Sequence, residues 1–118
     1  ESDAPRPTHA PLLNLTMHKV VATKLSEINA ACVKHGVKRL FLFGSAAGTE
    51  FNAATSDVDF VVTFLAQERG GFDDVYFKLR EDLIRIIGRP VDLIEAQVVK
   101  NPYLIASVNR TKQMLYAA

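Results

Sequence analysis

The sequence predicts an α/β domain, a small mixed β-sheet with helices packed against it. Three observations carry that expectation. Apolar residues recur at helical spacing in two stretches, short apolar or alternating runs stand between and after them, and glycines or prolines break the chain at each change of period. The 118 residues fit a single domain, read here as spanning 12–118 behind a flexible arm over 1–11 that carries three prolines and no periodicity.

In the first helical stretch, Met17, Val21, Leu25, Ile28 and Cys32 form one apolar stripe. Thr16 or Asn14 caps its start, and Gly36 stands where a left-handed stop belongs. Leu40-Phe41-Leu42-Phe43 is then a short continuous apolar run, read as a buried strand, and it ends in the small-residue turn Gly44-Ser45-Ala46-Ala47-Gly48-Thr49. From Asp57 to Leu65 the chain alternates. Val58, Phe60, Val62 and Phe64 point to the core, while Asp57, Asp59, Val61 and Thr63 share the opposite face.

After Gly70-Gly71 comes a second amphipathic helix, with Phe72, Tyr76, Leu79, Leu83 and Ile86 or Ile87 on its stripe. Asp73 and Asp74 in its first turn and Arg85 in its last suit the helix dipole, and Gly88 and Pro90 end it. Val91-Asp92-Leu93-Ile94 reads as a third strand, Asn101-Pro102 as the start of a short helix over Tyr103 to Val108, and Met114-Leu115-Tyr116 as a last edge strand.

Composition excludes several function classes. A formal net charge of +1 argues against direct nucleic-acid binding, which needs a basic face to displace counterions. No apolar run approaches a membrane span. The lone Cys32 continues the first helical stripe and cannot form an internal disulfide, so a cytoplasmic setting is expected. His9, His18 and His35 lack zinc-ligand spacing and are assigned surface or capping roles. Ser45 sits in no Gly-x-Ser-x-Gly elbow, which argues against a hydrolase nucleophile. The run Lys78, Arg80, Glu81, Asp82 and Arg85 reads as a solvated helix face, and the stripe around Tyr76 as core.

Three carboxylates and one glycine turn remain. Asp57 and Asp59, two residues apart on one strand face, have Cα atoms ~6.6 Å apart at ~3.3 Å per residue. Carboxylates converging to 4 Å would repel by roughly 4 kcal/mol at an effective dielectric of 20, so a cation or a proton is expected between them. An all-oxygen donor set suits Mg²⁺. Asp92 completes the cluster if its strand neighbours theirs. Glycine at Gly44 lets the backbone approach a phosphate, and the turn is no Walker A loop because it lacks the lysine. Each feature alone is weak; their order and spacing carry the reading.

That order is an apolar strand, Gly44-Ser45, eleven residues, Asp57-Val58-Asp59-Phe60-Val61-Val62 and, much later, Val91-Asp92-Leu93. It resembles the polymerase β-like nucleotidyltransferase superfamily, and within it the minimal nucleotidyltransferases (MNT) of prokaryotes, over about Leu13 to Tyr116. The resemblance implies the nucleotidyltransferase palm fold, with Gly44 and Ser45 holding the triphosphate of an ATP cosubstrate. It further implies that Asp57, Asp59 and Asp92 are the catalytic, metal-binding residues for two Mg²⁺ ions: Asp57 and Asp59 bind the metal that accompanies the triphosphate, and Asp92 joins them at a second metal that activates the attacking hydroxyl. AMP would pass to that hydroxyl with loss of pyrophosphate. Small members are frequently paired with a helical HEPN ribonuclease toxin, which implies an antitoxin acting by adenylylation of a toxin tyrosine. One departure bears on this. Many relatives read Gly-Ser-x-Ala-Arg-Gly where this chain reads Gly44-Ser45-Ala46-Ala47-Gly48, and Ala47 is taken as the position of the missing arginine. The alternative is therefore a catalytically weak or inactive antitoxin of the same fold that neutralises its partner by binding.

Overall fold

The computed structural model describes residues 18–47, 57–65 and 72–118. The first helical stripe is cut in two, α1 at Lys19–Ala22 and α2 at Leu25–Lys34. The cut falls at Thr23-Lys24, where the Thr23 and Lys24 amides still bond back to Lys19 and Val21. The stripe survives it, with Val21, Ile28 and Cys32 fully buried. The expected caps at Asn14 and Thr16 lie outside the described residues. His18 takes the N-cap position instead, its Nδ1 accepting from the Val20 amide at 3.0 Å. Gly36 adopts φ 68° just past α2, the left-handed stop its position predicts.

Four strands follow: β1 at Val37–Phe43, β2 at Val58–Phe64, β3 at Val91–Glu95 and β4 at Gln113–Ala117. They form one sheet in the order β3-β2-β1-β4. β1 runs antiparallel to both β2 and β4, while β2 and β3 are parallel, so the sheet is mixed. A parallel pair requires a long crossover, which contains α3, Phe72–Ile87. α3 ends at Gly88, φ 78°, as the sequence predicts. A helix at Pro102–Thr111, α4, is capped by Asn101, whose Oδ1 accepts from the Tyr103 and Leu104 amides.

The sheet divides the interior. Leu40 and Leu42 of β1, Val58, Phe60 and Val62 of β2 and Leu93 of β3 pack with the buried faces of α1, α2 and α3. At about 25 cal/mol per Å² of apolar surface removed from water, this face supplies most of the folding drive. Cys32 lies within it, and burial pushes its thiol up to about 12, as befits an inert core residue. The opposite face is less polar than strict alternation predicts. Phe43 and Val61 are buried there against Val108 of α4, with Ile94, Ala96 and Leu104 around them.

Two further expectations are corrected. His35 takes the capping role, as the C-cap residue of α2 with its amide bonded to Ala31 O at 3.0 Å, but its side chain is not on the surface. It is 8% exposed, and its Nε2 lies 2.7 Å from Asp82 Oδ2. Asp82 is correspondingly drawn out of the solvated face of α3, and it also accepts from Arg85 at 2.9 Å. The two hydrogen bonds, the one with His35 first, hold the Asp82 carboxyl below its ordinary range. No helix among the described residues is long and apolar enough to cross a membrane.

Candidate active site

The parallel pairing of β2 with β3 sets Asp59 directly opposite Asp92. Asp57 immediately precedes β2, and the Val58 amide between the two carboxylates bonds to Pro90 O at 3.1 Å, which ties the starts of the two strands together. All three aspartates therefore cluster at one end of two adjacent strands. Asp57 and Asp92 are exposed, and Asp59 is half-buried. Burial raises the Asp59 carboxyl to about 6, and the charges of Asp92 and then Asp57 push in the same direction.

The turn lies beside them because β1 is antiparallel to β2. Phe43, the last residue of β1, pairs with Asp59, and Gly44 opens the 3₁₀ turn Gly44–Ala47 immediately after it. Gly44 has φ 76°, and a Cβ built there would stand 2.5 Å from Asp59 Oδ2. Only glycine admits both that backbone and that approach. Gly44 and the three aspartates are thus brought together. Of Ser45, the structure gives the backbone position within the turn.

The turn is anchored from the far end of the chain. The Gly44 amide donates to Thr111 Oγ1 at 2.9 Å, and the Thr111 hydroxyl donates in turn to Ser107 O at 2.8 Å. Gln113 Nε2 donates to Ala47 O at 2.7 Å, and the His18 amide donates to Ala46 O at 2.9 Å. The Gly44 amide is therefore already engaged, which narrows the set of amides able to face a phosphate. Sequence reasoning passed over Thr111 and Gln113. The available signal was topological: an antiparallel strand beside β1 must begin where β1 ends, and Leu42 indeed pairs with Gln113.

Ala47 is 5% exposed and packs in the main core, where no arginine head could reach solvent. Counted from Gly44, Ala47 matches the alanine of Gly-Ser-x-Ala-Arg-Gly, and the arginine's place falls on Gly48, outside the described residues. The turn still lacks the arginine, but Ala47 is not its site.

The donor set suits a hard divalent cation. Three carboxylates at one strand end give oxygen ligands only, and Asp59 lies over the space that a side chain at Gly44 would fill. Among the described residues no three His, Cys, Asp or Glu side chains converge tightly enough to cage an ion by themselves. Mg²⁺ asks for less, since it is usually held by one or two carboxylates with phosphate and water completing its shell.

Comparison with known proteins agrees with this geometry. The profile of the family described as polymerase beta, nucleotidyltransferase matches residues 26–118. A Methanocaldococcus jannaschii protein provisionally assigned as a protein adenylyltransferase is 39% identical over 75 residues, which cover 64% of this chain and 73% of that protein. A solved structure provisionally assigned as a minimal nucleotidyltransferase superposes with a TM-score of 0.64 at 24% identity, over 80% of this chain and 92% of its own. A toxin–antitoxin structure with AMP-PNP gives 0.61 at 18% identity, over 80% and 73%. An MNT antitoxin in complex with a tri-AMPylated HEPN toxin of Shewanella oneidensis gives 0.56 at 16% identity, over 81% and 71%. The fold and the family are thus those of a nucleotidyltransferase: the chain belongs to the polymerase beta nucleotidyltransferase family, and its fold is that of the minimal members.

Proposed function

We propose that this chain transfers AMP from ATP to a hydroxyl group in an Mg²⁺-dependent reaction, and that its acceptor is a tyrosine of a partner HEPN ribonuclease toxin. The observation that carries the reading is the pairing of Asp59 with Asp92, with Asp57 beside them and Gly44 closing the site. In this reading Asp57 and Asp59 hold the ion that accompanies the triphosphate, and Asp92 joins them in holding a second. When bound, the ions would polarise the α-phosphate and lower the cost of deprotonating the acceptor hydroxyl. With the Gly44 amide held by Thr111, the turn would offer the triphosphate the backbone amides that follow Gly44, beginning with that of Ser45, while Gly44 itself lets the chain come close, and so would set the α-phosphorus for in-line attack. The acceptor oxygen forms the new ester bond as pyrophosphate leaves with the electron pair of the broken P–O bond. Positioning and charge neutralisation account for most of the acceleration in such a transfer.

The choice of acceptor is supported by the solved neighbours, two of which are toxin–antitoxin structures containing AMP-PNP or a tri-AMPylated HEPN toxin. Both also favour ATP as donor. Such an acceptor would place the protein in the cytoplasm. A second reading rests on one feature, the missing arginine of the turn. In that case the fold neutralises its partner by stoichiometric binding.

Incubation with α-labelled ATP, Mg²⁺ and a purified HEPN toxin tests both, with the double variant Asp57→Ala/Asp59→Ala as control. Label on a tyrosine of the partner, lost in the control, is the expected result. A tight complex that never acquires label would sink the enzymatic reading in favour of binding.

A further inference from the structure

The Gly44–Ala47 turn is fixed from two sides by residues near the chain's end. Thr111 closes the last turn of α4, and its hydroxyl acts as acceptor and donor at once, accepting from Gly44 N and donating to Ser107 O. Gln113, two residues on, opens β4 and holds Ala47 O. The two contacts grip the first and last residues of the 3₁₀ turn, across 67 and 66 residues of sequence. α4 has its own reason to stay in place, since Val108 is buried against Phe43 and Val61. The turn is consequently docked onto a packed helix rather than left as a free loop.

Neither contact is needed for the fold of the turn alone. A 3₁₀ turn forms through its own backbone bonds, and Gly44 already supplies the left-handed residue that lets the chain leave β1. What the contacts add is direction. With the Gly44 amide pointed at Thr111 and the Ala47 carbonyl at Gln113, the intervening peptides are set in one orientation relative to Asp59. We infer that Thr111 and Gln113 are positioning residues for the nucleotide: they orient the turn that receives the triphosphate, without touching substrate themselves. This rests on the reading of the Gly44 turn as the triphosphate site.

Three variants and two readouts test it. Thr111→Val keeps the side chain's shape and removes the hydroxyl, Thr111→Ser keeps the hydroxyl, and Gln113→Met removes the amide donor. Hydrogen exchange at the Gly44 amide, followed by NMR in the free protein, reads the contact itself. Equilibrium binding of Mg²⁺–ATP, with the KM and kcat of AMP transfer, reads its consequence. Loss of one hydrogen bond to a partly buried amide predicts a roughly tenfold weaker ATP affinity for Thr111→Val. Gln113→Met should move affinity the same way, and Thr111→Ser should stay within about twofold of the parent. Because the turn would be set equally for ground and transition states, KM should rise while kcat holds. Faster Gly44 exchange in Thr111→Val with unchanged ATP affinity would overturn the positioning role while leaving the proposed function intact. A parent protein that binds no Mg²⁺–ATP, with Gly44 still protected, would overturn both.

Discussion

Asp59 faces Asp92 across the parallel ladder between β2 and β3, each the second residue of its strand. Neighbouring strands lie about 4.8 Å apart, so the two carboxylates occupy one rung with no residue between them. Asp57 flanks the same end, and its charge adds to the pressure on Asp59. A sheet built for stability alone would not gather like charges on adjacent strands, where they repel. A bound cation would make the arrangement favourable, which is the link between the register of the sheet and the proposed chemistry.

Gly44 should tolerate no side chain, and for two separable reasons. An alanine there would adopt φ 76° and thrust its Cβ to 2.5 Å from Asp59 Oδ2. Gly88 has nearly the same backbone, φ 78°, and a Cβ added there would meet nothing within 4 Å. Gly88→Ala therefore isolates the backbone cost, expected at about 1 kcal/mol in urea denaturation, with AMP transfer unchanged. Gly44→Ala should cost about 1–3 kcal/mol and abolish transfer, because the Asp59 carboxylate must also move. Equal effects of the two substitutions on both stability and transfer would show that the Asp59 approach has no consequence.

Stability of the metal-free protein should depend on pH through Asp59. Its carboxyl keeps a proton up to about 6 in the folded state, against 3.8 when unperturbed, so the folded state binds more protons between those values. The stabilisation from this group is complete below about pH 3.8 and is lost as pH rises through about 6. Thermal melts in EDTA across that window should show the parent losing stability relative to Asp59→Asn, which cannot ionise. Parallel curves for the two proteins would contradict the raised value.

His35 and Asp82 should contribute to stability and leave catalysis alone. They join the end of α2 to the middle of α3, 47 residues apart, on the helical side of the sheet. Because Asp82 is held below its ordinary range, its contribution is present above about pH 3.8 and is lost as pH falls through the lower folded value. His35→Ala leaves one carboxylate oxygen without its partner and is expected to cost about 1–3 kcal/mol by denaturation, with KM for ATP unaltered. A double-mutant cycle with Asp82→Ala should return a clear coupling energy, since the two side chains meet directly. Additive losses would mean that the contact contributes nothing of its own.

Local chemistry made the elements readable and left the long-range contacts hidden. Gly36 and Gly88 marked helix ends because a left-handed residue is needed there, and Asn101-Pro102 marked a start because cap and first-turn preferences coincide. The pairing of Asp59 with Asp92 could be stated only conditionally, since strand order depends on tertiary packing and not on either strand's composition. The break at Thr23-Lys24 was invisible because the four-residue spacing from Val21 to Leu25 persists through it. Burial of Val61 could not be read from strand alternation, which says nothing of a helix covering the second face. Thr111 and Gln113 look like ordinary polar residues at a helix–strand junction until β4 is known to lie beside β1.

Mg²⁺ and ATP should stabilise the protein together and hardly at all apart. ATP alone brings a negatively charged triphosphate to a site lined by Asp57, Asp59 and Asp92, and the ion alone must fill its shell with water where triphosphate oxygens would hold it more tightly. Each supplies what the other lacks, so binding should be coupled. At a ligand concentration about 100 times the dissociation constant, the gain is about 2.7 kcal/mol, which is a rise of roughly ten degrees in Tm for a domain of this size. Differential scanning fluorimetry with Mg²⁺, ATP, both, and both plus EDTA checks it directly. The joint shift should vanish in EDTA and in Asp57→Ala/Asp59→Ala. A shift with ATP that survives both treatments would place the nucleotide away from the carboxylates and dissolve the link between the turn and the metal site. No shift under any condition would leave the fold as a binding module, with the aspartates of β2 and β3 silent.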